Sequence, residues 1–96
     1  MLSVSYFMRL DMFLVVSRLV KRRSLAQEFC DKGLVKINTV AAKSSKDVKT
    51  DDTIEIKRHG EILKVRVLKI PEVKQVSKAD ASSFFAVISL EKLDED

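Results

Sequence analysis

From Arg9 onward the apolar residues Leu10, Phe13 and Leu14, with Ser17 in phase, recur at helical spacing, and Met12, Val15 and Val16 widen the stripe around most of the circumference. This pattern predicts a mostly buried first helix over Leu10–Leu19. Ser24 then offers an N-cap with Gln27 at capping-box spacing. Leu25, Ala26, Phe29 and Cys30 share one apolar face, and Gly33 closes a second helix over Leu25–Lys32. After Gly33 the period falls from 3.6 to about 2. Leu34–Asn38 reads as a short strand, Asn38-Thr39 as a turn, Val40–Ala42 as its return and Lys43–Asp52 as a polar loop. Thr53–Lys57 alternates, His59-Gly60 makes a tight connection, and Leu63, Val65 and Val67 alternate along an antiparallel partner. Pro71 ends that strand, Ser77 is placed to cap a helical turn with Asp80 at N3, and Phe84–Leu90 reads as a last strand or a segment docked on the sheet. Glu91–Asp96 is an acidic tail.

The expected fold is therefore α+β, a single domain in which two N-terminal helices pack on a small, mostly antiparallel sheet. Residues 1–7 read as an extension, with Met8 an alternative start; 8–70 form the binding domain with its C-terminal hairpin, and 71–96 a C-terminal segment and tail. Ninety-six residues leave no room for a second catalytic domain. Apolar residues make up 46 % of the chain and charged ones 33 %, with two Gly and one Pro, a globular rather than a disordered composition.

The charge is uneven. The first fifty residues hold ten bases and four acids, the last forty-six eight and ten, so the net +4 arises wholly in the first half. Such asymmetry points to a local anionic partner, nucleic acid or an acidic membrane surface. Arg9 and Asp11 interrupt the apolar opening, so neither an export signal nor a membrane span is expected, and the single cysteine makes a reducing, cytoplasmic setting the expectation. With one cysteine, Cys30, and one histidine, His59, the expectation is no internal disulfide, no metal site and no cofactor. Cys30 lies on an apolar helix face and His59 in a turn, so no catalytic set is expected and the chain reads as a non-enzyme.

The candidate chemistry is basic. Lys21-Arg22-Arg23-Ser24 precedes a helix N-terminus, where cations oppose the macrodipole by up to about 1 kcal/mol. A bound anion explains them: helix N–H groups, the Ser24 hydroxyl and two guanidinium forks make a phosphate site. A solvated loop, or the end of the first helix, are the plainer readings of the same residues. A second basic strip of Arg9, Arg18, Lys32, Lys36, Lys43 and Lys46 extends it if the helix pair packs on the sheet, so that the end of the first helix, the start of the second and the Lys43-Ser44-Ser45-Lys46 loop share one face. The expected site is thus Arg9, Arg18, Lys21, Arg22, Arg23, Ser24, Lys43, Ser44 and Lys46.

Arg9-Leu10-Asp11, Phe13-Leu14, Ser17 through Ala26, Gly33, Val35, Ile37-Asn38, Lys43-Ser44-Ser45, Val48 and Asp52 resemble the S4-type (alpha-L) RNA-binding domain, over Met8 to about Lys57. Thr39 stands where that pattern has a turn glycine, Thr50-Asp51 where it has the glycine before Asp52, and Met12 where a lysine is usual. Among stand-alone members, the Met8–Ala26 segment looks most like the RqcP family of ribosome quality-control proteins, with heat-shock protein fifteen as the related alternative. The resemblance implies a cytoplasmic, RNA-binding protein, expected to be a monomer, and its motif gives Arg9 and Arg23 the most weight; replacing both by Ala is expected to weaken ribosome association and to leave thermal stability nearly unchanged. Its partners would be large-subunit ribosomal RNA, the peptidyl-site tRNA and the factor that adds alanine tails to stalled chains. A basic protein-interaction module is the other class left open, and a membrane partner is not expected.

Overall fold

The computed structural model describes residues 8–71 and 78–93, with the side chains of 78 and 79 excepted. The expectations for residues 1–7, for a cap at Ser77 and for residues 94–96 lie outside them. In chain order the elements are β1 (Met8–Arg9), α1 (Leu10–Val16), α2 (Arg23–Asp31), β2 (Val35–Ile37), β3 (Val40–Ala41), β4 (Asp47–Val48), β5 (Thr53–Arg58), β6 (Glu61–Val67), α3 (Lys78–Ala81), a 3-10 turn (Ser82–Phe84) and β7 (Phe85–Lys92). Two sheets form: an antiparallel pair β1-β4, and a five-stranded antiparallel sheet ordered β3-β2-β5-β6-β7.

Strand alternation decides which side is covered. Val35, Ile37, Ile54, Ile56, Leu63, Val65 and Val67 are buried and belong to one core with Leu10, Phe13, Leu14, Leu19, Val20, Ala26 and Cys30 of the helical segment. α1 has only seven residues, too few to persist alone in water. Fully burying Leu10, Phe13 and Leu14 contributes about 1.5–3 kcal/mol each, and this packing holds the helix. The β5–β6 hairpin closes at Arg58↔Glu61 around His59 (φ 49°) and Gly60 (φ 71°), the left-handed pair a two-residue type I′ turn requires.

Several expectations change at their edges. α1 stops at Val16 rather than Leu19 because the Ser17 hydroxyl donates to the Phe13 carbonyl (2.6 Å) and Arg18 turns left-handed (φ 63°). α2 begins at Arg23, so Ser24 lies inside the helix and does not cap it. The polar loop 43–52 contains β4, which pairs Val48 with Met8 and Asp47 with Arg9. Phe84–Leu90 resolves into a buried Phe84 in the 3-10 turn and a true strand, β7, whose hydrogen bonding to β6 runs from Phe85↔Val67 to Lys92↔Glu61. Glu91 and Lys92 are therefore sheet, not tail.

Candidate nucleic-acid interface

Asp11 is the residue around which the basic face is organised. Its side chain is fully buried, at 0 % exposure, yet it is an acid in the first turn of a helix. Arg9 donates to it twice, Nε to Oδ1 and Nη2 to Oδ2, both at 3.2 Å. Arg23 donates Nε to Oδ2 at 3.2 Å and Gln27 donates Nε2 to the same oxygen at 2.9 Å. Burial acts to raise the carboxyl pKa, but hydrogen bonds from Gln27, Arg9 and Arg23 and the Arg23 charge outweigh it, leaving Asp11 below its ordinary value of 3.8. The two arginine side chains remain about half exposed, at 46 % and 48 %. One buried anion thus holds two guanidinium groups, from residues fourteen apart in sequence, at the surface.

The same helix end draws in the second basic segment. The Leu10 N–H donates to the Lys46 carbonyl (2.8 Å) and the Asp11 N–H to the Ser44 carbonyl (3.1 Å), so loop carbonyls do what a side-chain cap would do at the start of α1. The Lys46 N–H closes a turn onto the Lys43 carbonyl (3.0 Å). Arg9, Arg23, Ser44 and Lys46 are therefore brought together, with Lys43 in the same turn, although thirty-seven positions separate the first from the last. Arg22 occupies the N-cap position of α2 in extended conformation, and no side-chain hydrogen bond caps this helix. Ser24 is exposed in the first turn. Arg18 and Lys21 are exposed on the α1–α2 connection, outside the group that holds Asp11.

Two readings from sequence need correction. The Ser24–Gln27 capping box does not form, because Gln27 turns its amide to Asp11. Nor would Ala at both Arg9 and Arg23 leave stability nearly unchanged: it strips two of three partners from a buried carboxylate. Three residues were missed: Asp11, which the sequence offered as a charge interrupting the apolar opening, Gln27 and Arg58. Gln27 carried a signal, since its spacing from Ser24 singled it out, but toward the wrong partner. Arg58 carried none; its guanidinium donates to the Leu19 carbonyl, fastening the α1–α2 connection to the sheet from thirty-nine positions away.

Residues 8–54 match the family model of the S4 domain. The chain is similar to the RQC P-site tRNA stabilizing factor of Streptococcus pneumoniae (strain ATCC BAA-255 / R6), with 42 % identity over 88 residues that cover 92 % of this chain and 98 % of that protein. The protein of the same name from Bacillus subtilis (strain 168) is 40 % identical over 92 % of this chain and all of its own length. Among solved structures, the trimeric structure of Vibrio cholerae heat shock protein 15 superposes with a TM-score of 0.79 at 26 % identity, covering 88 % of this chain and 84 % of that one. The solution structure of the hypothetical protein HP1423 gives 0.75 at 40 % identity, covering 85 % and 98 %.

Proposed function

From the premise that this chain belongs to the S4-domain family that includes the RQC P-site tRNA stabilizing factors, we propose that it is a non-catalytic RNA-binding protein of the large ribosomal subunit. There it contacts ribosomal RNA and the peptidyl-site tRNA and supports alanine tailing of stalled chains. The observation that carries the reading is the buried Asp11 with its two half-exposed arginines, joined by backbone bonds to the 43–46 turn. A folded RNA is read largely through phosphates, 2′-hydroxyls and shape, which suits cations fixed on a rigid surface. In this reading Arg9, Arg22 and Arg23 meet phosphates, Ser24 and Ser44 add hydroxyl contacts, and Lys43 and Lys46 flank them. Arg18 and Lys21 extend the strip along the α1–α2 connection. The similarity to heat shock protein 15 supports a runner-up, a factor binding free large subunits that carry blocked peptidyl-tRNA; the higher identity to the stabilizing factors favours the first.

The test is sedimentation of tagged protein with large subunits, with and without P-site tRNA, across a salt series. If about five phosphates are neutralised, log affinity falls with log salt at a slope near −3.5 to −4.5. Co-sedimentation that survives ribonuclease and ignores salt would identify a protein-interaction module instead. In cells, loss of the protein should remove alanine tails from a stalled reporter chain, and preserved tails would overturn that part of the proposal.

A further inference from the structure

Beside the basic turn lies a hollow of about 540 Å³, lined by Ile37, Asn38, Val40, Ala41, Ala42, Lys43, Ser45 and Lys46. The size is within the range of small-ligand sites. Its floor is apolar because the register pairs Ile37 with Val40, placing both on the core side of the β2–β3 ribbon, where β3 is the sheet edge. Ile37 is buried, but Val40 is 67 % exposed. Core surface therefore emerges here, and exposed Lys43 and Lys46 stand over it.

The edge also offers hydrogen bonds. Ile37 and Val40 close a two-residue turn whose residues both have positive φ (Asn38 51°, Thr39 72°), and the Ala42 N–H donates to the Val35 carbonyl at 3.1 Å. Antiparallel bonding alternates, so the intervening Ala41 directs its N–H and C=O away from β2, to the open edge. Asn38 is not available as a reader, since its amide donates to Asp52 (3.1 Å) and its carbonyl accepts from the Thr53 N–H (3.0 Å).

The geometry points to a nucleotide subsite. We propose that the hollow takes one unstacked nucleotide of the bound RNA, its base lying on Val40 and Ala42, its edge meeting the Ala41 backbone and its phosphate meeting Lys43 and Lys46. The occupant is set by charge and continuity: an apolar floor wide enough for a base ends at two cations that the Leu10–Lys46 and Asp11–Ser44 bonds join to the arginine face. Aromatic residues make up only 6 % of the chain. Aliphatic contact at a sheet edge supplies a base platform that an aromatic count does not register.

This proposal rests on the RNA-binding reading and is tested separately from it. The full chain is titrated by fluorescence anisotropy with three RNA hairpins: one bearing a single bulged adenosine, one an abasic residue at the bulge, and one fully paired. The bulged adenosine should bind at least threefold tighter than the abasic RNA. Val40→Ser should erase that difference, and Val40→Tyr, which adds a stacking ring, should widen it, both leaving abasic binding unchanged. Val40 is mostly exposed, so neither variant threatens folding. Equal binding of bulged and abasic RNA, or a preference untouched by both variants, would overturn the subsite and leave the RNA-binding reading standing. Failure of all three RNAs to bind in a salt-dependent way would overturn both.

Discussion

Replacing Asp11 by Asn tests whether one buried acid organises the basic face. The carboxylate accepts four hydrogen bonds, three of them from arginine, and is wholly shielded from water. Asn keeps the shape but presents an NH₂ to a site that otherwise holds only donors. Breaking a buried pair costs about 3–5 kcal/mol when a lone charge is left inside. Here the charges left behind are two arginines already half exposed, free to rehydrate, so the expected loss is smaller, about 2 kcal/mol. For a domain of this size that is a drop in Tm of about 10 °C. The pH dependence gives a second readout. The folded-state pKa of Asp11 lies below its ordinary 3.8, so the folded protein binds this proton less readily than the unfolded chain. Its stabilisation is complete above the unfolded value and is lost as pH falls through the folded one. Circular dichroism melts of wild type and Asp11→Asn should differ by a constant gap from pH 8 to about pH 5, and the gap should close below pH 3.8. A gap under about 3 °C at pH 7, or one indifferent to acid, would refute the organising role of Asp11.

The double variant Lys43→Ala/Lys46→Ala removes cations that form no ion pair among the described residues, so its Tm should stay within about 3 °C of wild type, while the salt slope of RNA binding becomes shallower by about 1.4–1.8; an unchanged slope would take these lysines off the RNA. Thr39 holds a β-branched side chain at φ 72°, so Thr39→Gly should relieve more strain than it adds in unfolded-state entropy, a net gain of about 0.5–1 kcal/mol seen as a Tm rise of a few degrees. A fall in Tm would show that the left-handed turn is not strained. Burial, with the charges of Asp11 and Asp31, pushes the Cys30 thiol up from 9.0 to about 11, so iodoacetamide at pH 8 should label native protein about a hundredfold more slowly than urea-unfolded chain; comparable rates would mean that this face of α2 opens readily.

The two glycine departures in the sequence are informative after the fact. Thr39 and Asp51, standing where the resembling pattern has glycine, both adopt positive φ, 72° and 76°. The turns are kept without the residue that makes them cheap, because each is held from outside: Asn38 spans to Asp52 and Thr53, and the Asp51 N–H donates to the Val67 carbonyl at 2.8 Å. Turn positions were therefore legible from residue type alone, but their strain was not.

Local pattern determined much of this protein. The helical stripe of Leu10, Phe13 and Leu14, the alternation of Thr53–Val67 and the His59-Gly60 turn each depend on residues a few positions apart, and each produced its element. The basic excess of the first half likewise marked the segments that Asp11 and its backbone bonds bring together. What only the tertiary structure decided is what those segments hold. Asp11 sits in a sequence as an ordinary first-turn acid; it becomes the hub of Arg9, Arg23 and Gln27 only when α2 packs on α1. The 43–46 turn joins it only because two helical N–H groups lack partners within their own helix and must find carbonyls elsewhere. β4 pairs through two residues, too few to leave a period, and β7 takes its place by pairing along the second edge of β6. Burial of an ion and satisfaction of backbone donors are long-range demands, and chain spacing does not encode them.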